Sequence, residues 1–192
     1  MKRVFLLLSV LIFNSSFSQK LKFDIFLFGN KIGQTIVERT VKNDSIISYS
    51  LRSNSQAHIF FITRKIALHY DILYKQGRLF SSYSKSTRND EVQVTTIMWL
   101  GNKYLMKRQD GTFNINTVVD CSTVKLFFAE PCNTSRIFSE RMGEFRSLKK
   151  AKEGVYEAAM QDGLTYFYRY KNGVLYELEM CKGASVFMRL VK

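Results

Sequence analysis

A histidine and an aspartate two residues apart are the clearest acid–base pair in the chain. His69 and Asp71 stand in the segment Ala67-Leu68-His69-Tyr70-Asp71, and strand alternation would place both side chains on one face. A hydrolytic triad also needs a nucleophile, which a Gly-x-Ser-x-Gly turn can present. The chain has no such turn. We therefore assign no catalytic residue and leave the question of enzymatic activity open.

Two further acids, Glu177 and Glu179, are separated by one residue. On a strand their side chains would share a face about 7 Å apart, whereas a glycosidase needs two carboxylates across a cleft. Neighbouring strands offer Arg169 and Arg189 as partners. The pattern favours a solvated ladder of charges across strands.

Metal and cofactor signals are weak. The two histidines, His58 and His69, fall on separate predicted elements, and neither has a second ligand at a metal spacing. Gly29 and Gly33 belong to a predicted hairpin and lack the following helix of an anion-binding loop. We predict no metal site and no cofactor.

The chain has three cysteines, Cys121, Cys132 and Cys181. A disulfide between Cys121 and Cys132 would close a small loop and stabilise the fold by about 2 to 3 kcal/mol. The alternative is three reduced thiols that act as small apolar side chains. The sequence leaves both open.

The first 18 residues have the composition of a secretory signal peptide. A basic start, Met1-Lys2-Arg3, precedes the apolar run from Val4 to Phe13, and small residues flank Phe17. The run is shorter than the roughly 20 residues of a membrane-spanning helix. We predict cleavage after residue 18, a single domain over residues 19–192, and a periplasmic or secreted location.

The formal net charge of +13 favours anionic partners such as a membrane surface. The densest basic run includes Arg146, Lys149, Lys150 and Lys152, which we predict to be an anionic-surface site. Nucleic acid is not predicted as a partner, because the chain is predicted to be exported. The alternative is that these cations only solvate the outer faces of strands.

Strands and tight turns dominate the rest of the pattern. The chain holds 16 Phe and 10 Tyr against one Pro, and Asp-Gly and Asn-Gly pairs recur between alternating segments. Strands are predicted at about 20–28, 33–41, 46–53, 66–75, 78–87, 92–100, 103–109, 144–150, 154–160, 164–171, 173–181 and 184–191. We predict a mainly β antiparallel meander that forms a curved half-barrel or a barrel. Residues 112–143 break the pattern, and Ser122–Glu130 is predicted to be a short helix or lid, with Ser122 as its N-cap.

Aromatic residues are the candidate ligand contacts. Tyr166, Tyr168 and Tyr170 would line one strand face, and Phe127 and Phe128 belong to the predicted lid. Together they would form an apolar ligand surface in a curved sheet with too few helices to cover it. The alternative is that they are core residues.

Several short segments resemble a group of uncharacterised exported bacterial proteins of Bacteroidetes-type genomes, which are classed as domains of unknown function. The matching segments are Phe23-Asp24-Ile25, residues 29–33, residues 74–79 and residues 172–175. That group is similar in predicted shape to the LolA-like carriers of lipidated proteins, which are curved half-barrels with a helical lid. The resemblance implies fold and compartment and suggests a ligand class, but it transfers no functional residue.

From these features we expect a non-catalytic exported binding or carrier module for an amphiphilic or lipid-like ligand with an acidic headgroup. One alternative is an envelope structural or protein-interaction module that uses sheet edges. Another is a hydrolase of an acidic polysaccharide or ester.

Overall fold

A computed structural model describes residues 17–59, 61–131, 133–160 and 163–191. These residues form a mainly β fold with fourteen strands in one antiparallel sheet, as the sequence predicts. The strands are β1 (Phe17–Leu27), β2 (Asn30–Asn43), β3 (Ile46–Ile59), β4 (Ile62–Lys75), β5 (Arg78–Arg88), β6 (Glu91–Trp99), β7 (Tyr104–Arg108), β8 (Gly111–Ile115), β9 (Arg136–Ser139), β10 (Glu144–Lys152), β11 (Val155–Ala159), β12 (Thr165–Lys171), β13 (Val174–Lys182) and β14 (Ala184–Leu190).

The sheet consists of two meanders joined through the two terminal strands. β1 pairs with β2 on one side and with β14 on the other, where Phe23 lies opposite Leu190. The edge strands of the sheet are β8 and β9, which are neighbours in sequence but do not pair. The sheet therefore stays open, as in the predicted half-barrel, and the predicted alternative of a closed barrel is not formed.

Local turn chemistry explains why the strands end where they do. Asn172 and Gly173 both have positive φ angles, 52° and 73°, which is the backbone of a type I′ hairpin turn. Because the chain is a meander, the turns that follow the odd-numbered strands all lie at one end of the sheet. We call this end, with described turn residues 28–29, 61, 89–90, 109–110, 140–143, 163–164 and 183, the tip end.

The signal peptide prediction is not tested by this fold, since residues 1–16 lie outside the described residues. β1 begins at Phe17, two residues before the predicted mature start. The part of the chain that the structure describes contains no helix long and apolar enough to span a bilayer.

The predicted helix at Ser122–Glu130 is reduced to a single 3₁₀ turn, Thr123–Phe127. Its Val124, Leu126 and Phe127 side chains are all buried. An amphipathic surface helix would bury one face only. The irregular segment that contains the 3₁₀ turn, residues 116–131, lies on the inner face of the sheet. We call this segment the plug.

The core lies between the inner face of the sheet and the plug. Phe127 packs edge-on against Phe23 of β1, with ring centroids 5.4 Å apart. Backbone bonds also fix the plug, since the Leu79 N–H donates to the Val119 carbonyl at 2.8 Å. The two meanders thus share one core, which a flat sheet of this size could not provide.

Candidate functional site

Arg141 lies in the turn between β9 and β10, at the tip end of the inner face. Its side chain is half-buried. Burial raises the pKa of Tyr70 in β4 and of Tyr166 in β12, and the positive charge of Arg141 opposes that rise in each case. The charge of one guanidinium therefore acts on tyrosines of both meanders.

Arg141 is one of several described arginines that have no acidic partner. Among the described residues, no carboxylate forms an ion pair with it. Five arginines elsewhere are paired with an Asp or Glu: Arg52, Arg108, Arg146, Arg169 and Arg189. A half-buried unpaired cation costs desolvation energy, which an anionic ligand would offset.

Small hydroxyl side chains of β5 and β6 lie near the backbone of the Arg141 turn. Ser84 lies opposite both Tyr70 and Thr95 in the strand register, and the Thr95 hydroxyl donates to the Arg141 carbonyl at 2.8 Å. The hydroxyl oxygens of Ser82 and Ser84 are buried without a hydrogen-bond partner among the described residues. Buried polar atoms are normally paired, so these hydroxyls are a second sign of a polar binding site.

Apolar side chains continue the site along the tip end. Tyr166 lies opposite Met180 in β13, and Met180 lies opposite Val186 in β14. These three residues are only partly buried, as are Leu68 and Met160. The site therefore combines a cation and hydroxyl groups with an incompletely covered apolar row, an arrangement suited to an anionic group attached to an apolar chain.

The turn that carries Arg141 is held by the preceding residue, Glu140. The carboxylate of Glu140 is completely buried, accepts a hydrogen bond from the Val124 backbone N–H at 3.0 Å and accepts another from the Thr123 hydroxyl. Burial raises its pKa, and these hydrogen bonds partly oppose the rise. Glu140 caps the 3₁₀ turn, whereas the predicted cap Ser122 accepts a hydrogen bond from the Tyr74 hydroxyl at 2.6 Å.

The five predicted ligand residues are not brought together at one surface. Phe127, Tyr168 and Tyr170 are buried in the core, where the Tyr170 hydroxyl donates to the Leu126 carbonyl at 2.7 Å. Phe128 is half-buried and packs on Tyr49, with ring centroids 5.7 Å apart. Tyr166 is partly buried, and the charge of Arg141 acts on its pKa.

The predicted anionic-surface residues lie along β10, where strand alternation distributes them over two faces. Arg146 forms an ion pair with Glu144, and Lys150 forms one with Glu153 at 2.9 Å. Lys149 lies opposite Glu157 of β11 in the strand register, and Lys152 is exposed after a bulge. The run is dense in sequence, but nearby acids partly offset its charge.

The predicted acid–base pair forms on the outer face. His69 Nε2 lies 2.7 Å from Asp71 Oδ2, and Arg52 donates to the other oxygen of Asp71 at 3.0 Å. Within the described part of the chain, no serine or cysteine forms a hydrogen bond with His69. A shallow groove of about 320 Å³ beside Asp71 is lined by Glu38, Thr40, Ser48 and Ser50, among others.

The predicted charge ladder also forms on the outer face. Arg169 donates to Glu177 at 3.1 Å and to Glu179 at 2.6 Å, and Arg189 donates to Glu177 at 2.8 Å. The hydrogen bond from Arg169 lowers the pKa of Glu179. The two glutamates are thus bound by arginines rather than arranged across a cleft.

The structure describes the surroundings of Cys121 but not those of Cys132. Cys132 lies outside the described residues, so its disulfide with Cys121 stays a prediction. Burial raises the pKa of the half-buried Cys121 thiol. Over the described ranges, no group of three His, Cys, Asp or Glu side chains is arranged to hold a metal ion.

Sequence reasoning missed Arg141, Glu140 and the serines of β5. The one available signal was the alternation of Ser82, Ser84 and Ser86, which puts three small hydroxyls on a face that otherwise carries core residues. No local sequence pattern identifies Arg141 or Glu140 as site residues, because the residues that they contact are distant in sequence.

Comparison with known proteins gives one match. The profile of a family described as Domain of unknown function (DUF6134) matches residues 23–191. No curated protein and no solved structure matches the chain.

Proposed function

The chain belongs to this family of unknown function, DUF6134, and we propose that it is a non-catalytic exported binding or carrier protein for an amphiphile with an acidic headgroup. The observation that carries the proposal is the half-buried Arg141 guanidinium, which has no acidic partner among the described residues and whose charge acts on Tyr70 and Tyr166.

Headgroup binding would depend on charge and on donors. A carboxylate or phosphate at Arg141 would accept charge-assisted hydrogen bonds from the guanidinium, which are about twice as strong as neutral ones. The Tyr166 hydroxyl is the second donor, and its pKa is raised by burial, so it stays protonated. Both groups are donors to an anion at neutral pH.

Tail binding would use the apolar row that starts at Tyr166. Met180 and Val186 are partly buried neighbours of that residue, and each Å² of apolar surface removed from water contributes about 25 cal/mol. Methionine adapts to ligands of different shape because its side chain is unbranched and flexible. The site would therefore select for the charge of the headgroup more strictly than for the shape of the tail.

The sequence supports the same compartment and ligand class. The signal-peptide pattern of residues 1–18 predicts export. The resemblance to exported proteins of Bacteroidetes-type genomes, and through them to LolA-like carriers, suggests an amphiphilic cargo.

Titration of the purified protein with dodecanoate and with dodecanol by calorimetry tests the proposal. We expect dodecanoate to bind more tightly than dodecanol, and Arg141→Gln to weaken dodecanoate binding at least tenfold without affecting dodecanol. Arg52→Gln is the matched control, because Arg52 is paired with Asp71 on the outer face. If dodecanoate does not bind, or if both variants bind it equally well, the proposal is wrong.

A further inference from the structure

The β3–β4 hairpin extends past its neighbours at the tip end. Pairing of β3 with β2 ends at Ser55 opposite Gly33, and pairing of β4 with β5 ends at Ile66 opposite Arg88. The β3–β4 ladder itself continues for four more residue pairs, to Ile59 opposite Ile62. At about 3.3 Å per residue, this two-stranded ribbon projects roughly 13 Å beyond β5.

The ribbon ends in large apolar side chains exposed to water. Phe61 is fully exposed and Ile62 is 56% exposed. Phe28, in the neighbouring β1–β2 turn, is 71% exposed. Single exposed apolar residues are common on protein surfaces, but here three large ones stand in adjacent turns at the same end of the sheet.

The β1–β2 turn lies somewhat behind the tip of the ribbon. Because β2 has a bulge, the β1–β2 ladder continues for only two pairs beyond Gly33, to Leu27 opposite Asn30, whereas the β3–β4 ladder continues for four pairs beyond Ser55. The difference of two pairs corresponds to about 7 Å along the strands. Phe28 would therefore enter the same surface less deeply than Phe61.

Basic residues stand directly behind the apolar tip. Arg64 and Lys65 are exposed, and in the described part of the chain neither forms an ion pair with a carboxylate. From Phe61 to Arg64 the strand covers about 10 Å, which is comparable to the depth to which interfacial segments enter a bilayer. The Lys65 N–H donates to the Asn89 side chain at 2.9 Å, which anchors the base of the ribbon to the β5–β6 turn.

We propose that the tip end docks on an anionic phospholipid bilayer, with Phe28, Phe61 and Ile62 entering the headgroup boundary and Arg64 and Lys65 contacting lipid phosphates. Apolar side chains in front and cations behind match the order of acyl chains and phosphates in a bilayer. The net charge of +13 adds a long-range attraction to the same surface. A protein partner would not require apolar side chains at the tip with cations behind them.

Docking in this orientation has a consequence for the site described above. Arg141 lies in a turn of the same end of the sheet, so the candidate site would face the bilayer. The membrane proposal does not need the proposed ligand, and each of the two is tested separately.

Co-sedimentation with vesicles is the first test. We expect the protein to bind vesicles of phosphatidylglycerol and phosphatidylcholine, and to bind pure phosphatidylcholine at least tenfold more weakly. The double variant Phe61→Ser/Ile62→Ser should lower the partition coefficient at least tenfold, and Arg64→Gln/Lys65→Gln should lower it and reduce its dependence on salt. Met98→Ser/Leu100→Ser, which removes exposed apolar residues away from the tip end, should bind like the wild type.

A second test locates the inserted side chain. The only tryptophan, Trp99, lies at the end of β6 opposite the tip end, so Phe61→Trp adds a reporter where contact is expected. Brominated lipids should quench the added tryptophan and leave the wild-type emission unchanged. Quenching of the wild type alone, or equal binding by the tip variant and the wild type, would overturn the proposal.

The same variants separate the two proposals. Phe61→Ser/Ile62→Ser should lose vesicle binding and still bind soluble dodecanoate like the wild type. Equal loss of vesicle binding in Phe61→Ser/Ile62→Ser and in Met98→Ser/Leu100→Ser would contradict docking through the apolar tip, whatever the result with dodecanoate.

Discussion

The completely buried carboxylate of Glu140 accepts a hydrogen bond from the backbone N–H of Val124 at 3.0 Å. This contact joins the turn between β9 and β10 to the 3₁₀ turn of the plug. Because the Thr123 hydroxyl donates to the same carboxylate, one side chain satisfies two donors that would otherwise be unpaired.

We expect Glu140→Ala to lower the free energy of unfolding by about 1 to 3 kcal/mol, because the Val124 N–H would be left buried without an acceptor. Urea unfolding measures the change. Glu153→Ala is the control, since Glu153 is exposed in the β10–β11 turn, and it should change stability by no more than about 0.5 kcal/mol. Equal effects of the two substitutions would contradict the capping role of Glu140.

Stability should also depend on pH through Glu140. Burial raises its pKa above the ordinary value of 4.5, so the folded state binds more protons than the unfolded state between those two pKa values. The favourable contribution is complete below the ordinary pKa and is lost as pH rises through the raised pKa. We expect Glu140→Gln to gain stability relative to the wild type as pH rises from about 4 to 8. Unfolding free energies at several pH values measure this difference, and a constant difference would show that Glu140 does not titrate with folding.

Phe127 should behave as a core residue of the plug. We expect Phe127→Ala to lower the free energy of unfolding by about 3 to 5 kcal/mol, because it removes the ring packed on Phe23 and leaves a cavity. Phe61→Ala is the matched control, since Phe61 is fully exposed, and it should change stability by at most about 0.5 kcal/mol. A small effect of Phe127→Ala would mean that the plug is not held by this contact.

Gly33 should tolerate no side chain. A Cβ atom at this position would lie 2.1 Å from the Asn54 carbonyl oxygen and 2.6 Å from Ser55 Cα, so the β2–β3 pairing would have to shift. We expect Gly33→Ala to cost more stability than Gly29→Ala, where a Cβ meets open space and only the positive φ of 79° is unfavourable. The second substitution should cost about 1 kcal/mol. Thermal unfolding of both variants compares them, and equal midpoints would contradict the close approach of the strands.

Local patterns were sufficient to predict most of the sheet. The hairpin around Asn172-Gly173 is an example. The turn residues and the alternation of Val174, Tyr176 and Leu178 lie within a few residues of one another, so the local sequence alone predicts the hairpin. The same alternation predicted that His69 shares a face with Asp71, and that Glu177 shares a face with Glu179. In the structure His69 contacts Asp71, and both glutamates bind Arg169. The β3–β4 hairpin extends further than predicted, because residues 56–59 and 62–65, which pair with one another, lack a clear apolar alternation.

The edge strands β8 and β9 were not predicted. β9 has four residues, Arg136–Ser139, and three of them are buried because the strand lies against β10 and the plug. A strand so short carries too few residues to show a period of two. Its conformation depends on the contacts that surround it.

The sequence by itself determined the fold class, the order of the hairpins and the side-chain pairs along single strands, because these follow from patterns that span neighbouring residues. Only the tertiary structure decided that the plug packs on the inner face, that Phe127, Tyr168 and Tyr170 are core residues, and that the charge of Arg141 acts on Tyr70 and Tyr166. These relationships join residues far apart in the chain, and they form only when the two meanders curve around one core.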